Sequence, residues 1–169
     1  MIGKAMQDAM NEQINKELFS SYLYLSMAAY FEEKNLAGFA HWMRVQTDEE
    51  REHAMKFYNF ILERGGKVTL KTIAAPKTEW ASNLEVFKEA SEHEAEITES
   101  IHALYELAVK DKDYPAQVML QWFVTEQVEE EKSTAEIVAS LQLIEERGTA
   151  VLMLDHQLAK RSGEDGDDE

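Results

Sequence analysis

The chain has 169 residues and a formal net charge of −16, with no cysteine, seven glycines and two prolines. Without cysteine there are no disulfides, thiolate metal sites, iron–sulfur clusters or cysteine nucleophiles, and the acidic balance disfavours nucleic acid and anionic membrane while attracting cations. The length suits a single domain, the Ala-, Glu-, Leu-, Met- and Lys-rich composition favours helix over sheet, and no apolar run is long enough to span a bilayer.

Residues from about 4 to 33 carry one helical stripe: Met10, Ile14, Glu17, Ser21, Tyr24, Ala28 and Phe31. Asp8, Glu12 and Glu17 break any secretory-leader pattern, so a cytoplasmic location is expected. The stripe ends at Lys34-Asn35 and Gly38 falls in the first turn of the next segment. So short a connection makes the two helices antiparallel neighbours. The second stripe runs Phe39, Trp42, Met43, Gln46, Glu50, His53, Phe57, Phe60 and Ile61, and the helix stops at about Arg64, before Gly65-Gly66.

From Gly65 to Ser82 no period survives. A link of about 17 residues spans roughly 55 Å when extended, enough to run the length of a helix of about 28 residues, roughly 42 Å. The second and third helices should therefore be parallel, joined by a crossover. Ser82-x-x-Glu85 is a capping box for the third helix, whose stripe is Phe87, Ala90, Glu94, Ile97, Ile101, Leu104 and Ala108. Asp111-Lys112-Asp113 breaks it, and Pro115 sits in the first turn of a fourth helix. That stripe is Ala116, Leu120, Phe123, Gln127, Glu130, Thr134, Ile137, Leu141 and Ile144, closing at Gly148. Thr149 is the expected cap of a short last helix from Ala150 to about Lys160, apolar on more than one face, so part of it should meet another chain. Glu164, Asp165, Asp167, Asp168 and Glu169 make an acidic tail that reads as disordered. The domain is thus placed at 1–162 and the tail at 163–169.

Each of the four long stripes has a polar interruption, and the depths agree. Glu17 and Glu50 lie about equally far from the first turn, as do Glu94 and Glu130 from the turn near Lys112. Equal distance from the turn means equal height in an antiparallel pair. Glu17, Glu50, His53, Glu94, Gln127 and Glu130 should then converge in mid-bundle. Four carboxylates buried there without a counter-charge would cost several kcal/mol per ion; two metal ions would compensate them. Carboxylates with one imidazole and no sulfur suit iron or manganese better than copper. His53 fits calcium poorly, and a structural zinc site would use fewer carboxylates. Gln127 should give a supporting hydrogen bond, and Tyr24 either bonds a site carboxylate, donates an electron, or is simply a core tyrosine. Glu49, Glu126 and Glu129 flank the inward positions and could hold another cation. His41, His93, His102 and His156 have no matched partners and read as surface or interface residues. Two other readings compete. One is a di-metal oxidase of an organic substrate, for which the packed stripes offer no obvious pocket; the other is a structural assembly whose mid-core acids set register.

At these residues the sequence resembles a prokaryotic non-haem ferritin. The likeness covers nearly all of the chain from Asn11 to about Leu158. It is carried by Asn11-Glu12-Gln13-Ile14-Asn15-Lys16-Glu17-Leu18, by Glu49-Glu50-Arg51-Glu52-His53-Ala54, and by Leu120 to Lys132, with Glu126-Gln127-Val128-Glu129-Glu130-Glu131 after Trp122-Phe123. The resemblance implies an all-α, ferritin-like four-helix bundle with a long crossover between helices 2 and 3 and a short fifth helix. It implies a ferroxidase centre in which Glu17, Glu50 and His53 hold one iron, Glu50 bridges to a second, and Glu94 and Glu130 complete that one with Gln127 nearby. It implies Tyr24 beside the centre and a third iron site on Glu49, Glu126, Glu129 and Glu130. It implies a cage of twenty-four copies that oxidises Fe(II) with O2 or peroxide and stores ferric mineral, the last helix pointing to the fourfold axes. Departures within the wider superfamily are equally definite. The second Glu-x-x-His of bacterioferritins is absent, since Glu126-x-x-Glu129 ends in Glu, and Arg51 stands where their haem-binding Met would be, so no haem is expected. Gln117 and Leu120 fall near the positions where animal ferritins carry pore-lining acids.

Overall fold

The computed structural model describes residues 1–145 and 147–163. Among them are five helices and no strand: α1 (Lys4–Glu33), α2 (Ala37–Glu63), α3 (Asn83–Lys110), α4 (Tyr114–Ile144) and α5 (Gly148–Leu158). Residues 164–169 of the expected acidic tail lie outside the described residues.

Helix ends follow from local chemistry. α1, α2 and α3 stop at left-handed residues, Asn35 (φ 57), Gly65 (φ 70) and Lys112 (φ 53). In each case the next residue's amide reaches back five residues to a helix carbonyl: Leu36 to Phe31, Gly66 to Ile61, Asp113 to Ala108. This pairing satisfies carbonyls that the helix itself leaves open. At the other ends, Ser82 Oγ accepts from Glu85 N at 3.1 Å and Glu85 Oε2 accepts from Ala81 N at 2.7 Å. Asp113 Oδ1 accepts from Ala116 N at 3.2 Å.

α1 packs along α2 and α3 along α4. The core is split in two. One cluster joins the end of α1, the start of α2, the start of α3, the end of α4 and α5, through Phe31, Phe39, Phe87 and Leu141 among others. The second joins the start of α1 to the ends of α2 and α3 and the start of α4, through Met10, Phe57, Ile101 and Phe123. That sharing of ends makes α2 and α3 parallel. Their crossover lies along α1: Asn11 Nδ2 donates to Lys67 O, Thr69 N donates to Asn11 Oδ1, Lys71 pairs with Glu12, and Ser26 Oγ donates to Lys77 O. Trp80 then plugs it into the first cluster.

The junction of α4 and α5 differs from the sequence reading. α4 ends at Ile144 with Glu145 left-handed (φ 49), and Gly148, expected to close α4, is instead the first residue of α5. Thr149 lies exposed inside α5, and Arg147 holds the N-cap position. The tertiary contact made by α5 overrides the local glycine signal. Asp155 Oδ1 accepts from Gly38 N at 2.8 Å and from Phe39 N at 2.9 Å, capping the N-terminus of α2 from another helix. A Cβ on Gly38 would lie 1.7 Å from the Asp155 carbonyl oxygen, so only glycine allows the approach. Val151 and Leu158 bury against the bundle, which fixes where α5 must begin.

Candidate metal centre

Between the two apolar clusters runs a belt of buried polar side chains: Glu17 from α1, Gln46, Glu50 and His53 from α2, Glu94 from α3, Gln127 and Glu130 from α4. Glu17, Glu50 and His53 each present a ligand atom within 4.8 Å of the others, and so do His53, Glu126 and Glu130. His53 is common to both groups. Its ring meets Trp122 and Phe123 edge-on at 5.3 and 5.7 Å, and Nδ1 lies 3.6 Å from Glu50 Oε2.

Neighbouring side chains hold the carboxylates. Gln13 Nε2 donates to Glu17 Oε1 at 2.9 Å, and Gln46 Nε2 donates to Glu130 Oε2 at 2.8 Å. Tyr24 donates to Glu94 Oε1, while Gln127 Nε2 donates to Glu94 Oε2 at 3.2 Å and to Thr98 Oγ1 at 3.2 Å. What these bonds leave over is informative. Glu17 Oε2, Glu50 Oε2 and His53 Nε2 are buried with no hydrogen-bond partner. Orphaned buried atoms are rare in proteins, and Glu17, Glu50 and His53, whose ligand atoms group within 4.8 Å, fit a cation in donor type and spacing.

The protonation chemistry agrees. Burial pushes the Glu17 and Glu94 carboxyls up to about 7, even though Gln13 stabilises one carboxylate and Tyr24 the other. Glu130 is pushed up to about 8 by burial and by Glu94. Glu50 rises well above the carboxylate range through burial and the charges of Glu94, Glu17 and Glu130. Burial, helped by Lys56, lowers His53 to about 3, leaving its imidazole neutral and free to ligate. Burial and Glu94 raise Tyr24 well above its ordinary value, so it stays a hydrogen-bond donor. These groups hold protons that a cation would displace.

The outer acids are arranged differently from the inner ones. Glu49, Glu126, Glu129 and Glu130 line a cavity of about 200 Å3, but Arg161, from the turn after α5, shares it. Glu126 groups with His53 and Glu130; Glu129 is exposed at the surface.

Several participants escape a stripe analysis. Gln13 is one residue off the α1 stripe, and Gln46 was on its stripe without an assigned role. Arg161 follows the last helix and carries no periodic signal. His93, expected at the surface or an interface, is half-buried against Phe19 and Tyr24, with Nε2 2.7 Å from Ser20 Oγ and its basicity lowered by burial. His41 Nε2 lies 2.8 Å from the Arg161 carbonyl oxygen. His102 and His156 are exposed. Leu120 is fully buried in the second cluster, so it cannot line a channel, and Gln117 Nε2 is tied to the Ala108 carbonyl. A leucine at that depth belongs to the α4 core stripe, whatever a relative carries nearby.

Comparison with known proteins agrees with this architecture. Residues 7–144 match the ferritin-like domain family. A bacterial non-heme ferritin of Bacteroides fragilis is 41% identical over 161 residues, covering 95% of this chain and 100% of that protein. One from Staphylococcus haemolyticus is 39% identical, covering 96% and 98%. Among solved structures, the open-pore ferritin of the hyperthermophilic archaeon Archaeoglobus fulgidus is 49% identical with a TM-score of 0.94, covering 96% of this chain and 100% of that one.

Proposed function

The chain belongs to the ferritin family as a prokaryotic non-haem ferritin, and we propose that its buried polar belt is the ferroxidase centre through which it stores iron. It oxidises Fe(II) to Fe(III) inside the bundle and keeps the product as ferric oxide mineral within an assembly of copies. Glu17, Glu50 and His53 take one Fe(II). Glu50 bridges to a second, which Glu94 and Glu130 complete. The observation that carries this reading is the set of orphaned atoms, Glu17 Oε2, Glu50 Oε2 and His53 Nε2, buried at one depth between two apolar clusters.

The chemistry follows from the ligands. Fe(II) displaces the protons held on the raised carboxyls, so the belt acquires its full negative charge only as the substrate arrives. Anionic oxygens stabilise Fe(III) more than Fe(II), which favours loss of one electron from each iron to O2 or peroxide. Tyr24 and Gln127 keep Glu94 oriented from behind, leaving a free lone-pair direction on each carboxylate oxygen. Tyr24 is also placed to lend an electron. The acidic cavity of Glu49, Glu126, Glu129 and Glu130 is the third iron position, beside the shared ligand Glu130. Twenty-four copies form the cage, with α5 near its fourfold axes, and a cytoplasmic setting, where Fe(II) is available, belongs to the same proposal.

Anaerobic Fe(II) titration followed by O2, with particle size measured throughout, tests this. The expected result is tight stoichiometric uptake, rapid oxidation and a large iron-filled shell. Oxidation no faster than that of free Fe(II), or a small particle that never fills, would overturn it.

A further inference from the structure

Beyond α5 the chain places a guanidinium where the proposed function puts a third iron. Arg161 Nη2 donates to Glu49 Oε2 at 2.6 Å, and its guanidinium carbon lies 4.5 Å from the centre of the Trp42 ring. The backbone there is held by His41 against the Arg161 carbonyl, and α5 itself is held by Asp155 on the first amides of α2. The side chain is mostly withdrawn from solvent, and Nη1 is buried without a hydrogen-bond partner. A long cationic side chain is ordinarily left in water. One folded back over a tryptophan and into a ring of carboxylates is acting as their counter-ion.

We propose that Arg161 is a tethered cation that closes the outer acidic pocket, so that a third iron binds each chain only when this side chain is displaced. The proposal rests on the paired centre described above, because Glu130 serves both that centre and the pocket. A guanidinium and a divalent ion cannot share four carboxylates at such separations without strong mutual repulsion. Arg161 therefore competes directly with iron in the cavity that it and Glu130 both line. Its charge also acts on Glu130, where it opposes the upward push of burial. The result is a centre that fills two inner positions first and offers the third only against an internal competitor. Arg161 is a positioning residue here: it touches the pocket carboxylate and not the paired irons.

The experiment is an anaerobic Fe(II) titration of the full chain by calorimetry, comparing wild type with Arg161→Gln and with the double variant Arg161→Gln/Glu49→Gln. Glutamine keeps a polar side chain beside Trp42 and removes the charge, and the position lies outside every helix. Wild type is expected to bind two irons tightly per chain. Arg161→Gln is expected to gain a third, tightened by about tenfold or more, a size on the order of the effect one bound group commonly has on another's affinity. The double variant is expected to lose that gain, which locates the third iron at Glu49. Two tight irons in both wild type and Arg161→Gln would overturn the proposal while leaving the paired centre intact. Three in wild type would overturn it likewise. No tight iron in wild type would overturn the paired centre, and this inference with it.

Discussion

Glu17 shows how much one side chain reports here. It is fully buried, one oxygen is held by Gln13, the other has no partner, and its carboxyl is pushed up to about 7. A carboxyl in that state is poised to exchange its proton for a metal. Replacing Glu17 or His53 by alanine is expected to slow Fe(II) oxidation by more than the roughly 10–100-fold typical of losing a ligand's support alone. The helical circular dichroism should be unchanged, because Glu17→Ala removes a group that burial and neighbouring carboxyls disfavour and His53→Ala removes a neutral ring from one position of a long helix. Stopped-flow oxidation of either variant at the wild-type rate would remove that residue from the centre. A pH effect follows from the same groups. The folded-state values of Glu17 and Glu94 (about 7) and Glu130 (about 8) all lie above the ordinary carboxyl value of 4.5. Between these limits the folded chain binds more protons than the unfolded one, so the metal-free protein loses stability as pH rises from about 5 to about 8. Its melting temperature should fall across that window, and Glu94→Gln should flatten the slope. Iron affinity moves the other way, rising with pH as proton competition weakens.

At the scale of elements, α5 is placed by its contacts with the bundle rather than by the glycine signal at its start. It is attached by Asp155 on the first amides of α2 and by the burial of Val151 and Leu158. Gly38 is the weak point, because a methyl group there would collide with the Asp155 backbone. Gly38→Ala should therefore cost about 1–3 kcal/mol through overpacking, or release α5 from the bundle. Hydrogen exchange of the Gly38 and Phe39 amides reads the difference, and protection equal to wild type would contradict it. The three left-handed turns after α1, α2 and α3 make the complementary point. Asn, Gly and Lys occupy equivalent positions, so the turn is imposed by the paired helices and glycine merely makes it cheaper.

For the molecule as a whole, the described surface leaves large apolar side chains exposed on and near α5. Leu152 is 60% exposed and Met153 71% exposed on α5, with Leu143 close by in the chain at the end of α4. Exposed apolar groups of this kind mark contact surfaces between chains. Changing Leu152 and Met153 together to Glu should shift the protein to smaller species by light scattering, while each chain still takes up Fe(II) anaerobically at the paired centre. An unchanged particle size would show that α5 does not hold the assembly together.

The helical class, the four stripes, the parallel crossover and the six inward polar residues were all legible in the sequence. Each depends on periods of three and four residues and on distances counted from turns, which the backbone repeat converts directly into faces and heights. The relations between stripes were not. The pairing of Gln46 with Glu130, the tucked position of His93 and the capping of α2 by Asp155 all join residues more than fifty positions apart, where no local period can register. Arg161 is the clearest case. Nothing about an arginine near a chain end indicates that it will fold back over Trp42 to Glu49, 112 residues away. Sequence determined which residues face inward and at what depth; only the packing of helices decided which of their atoms met a partner and which were left without one.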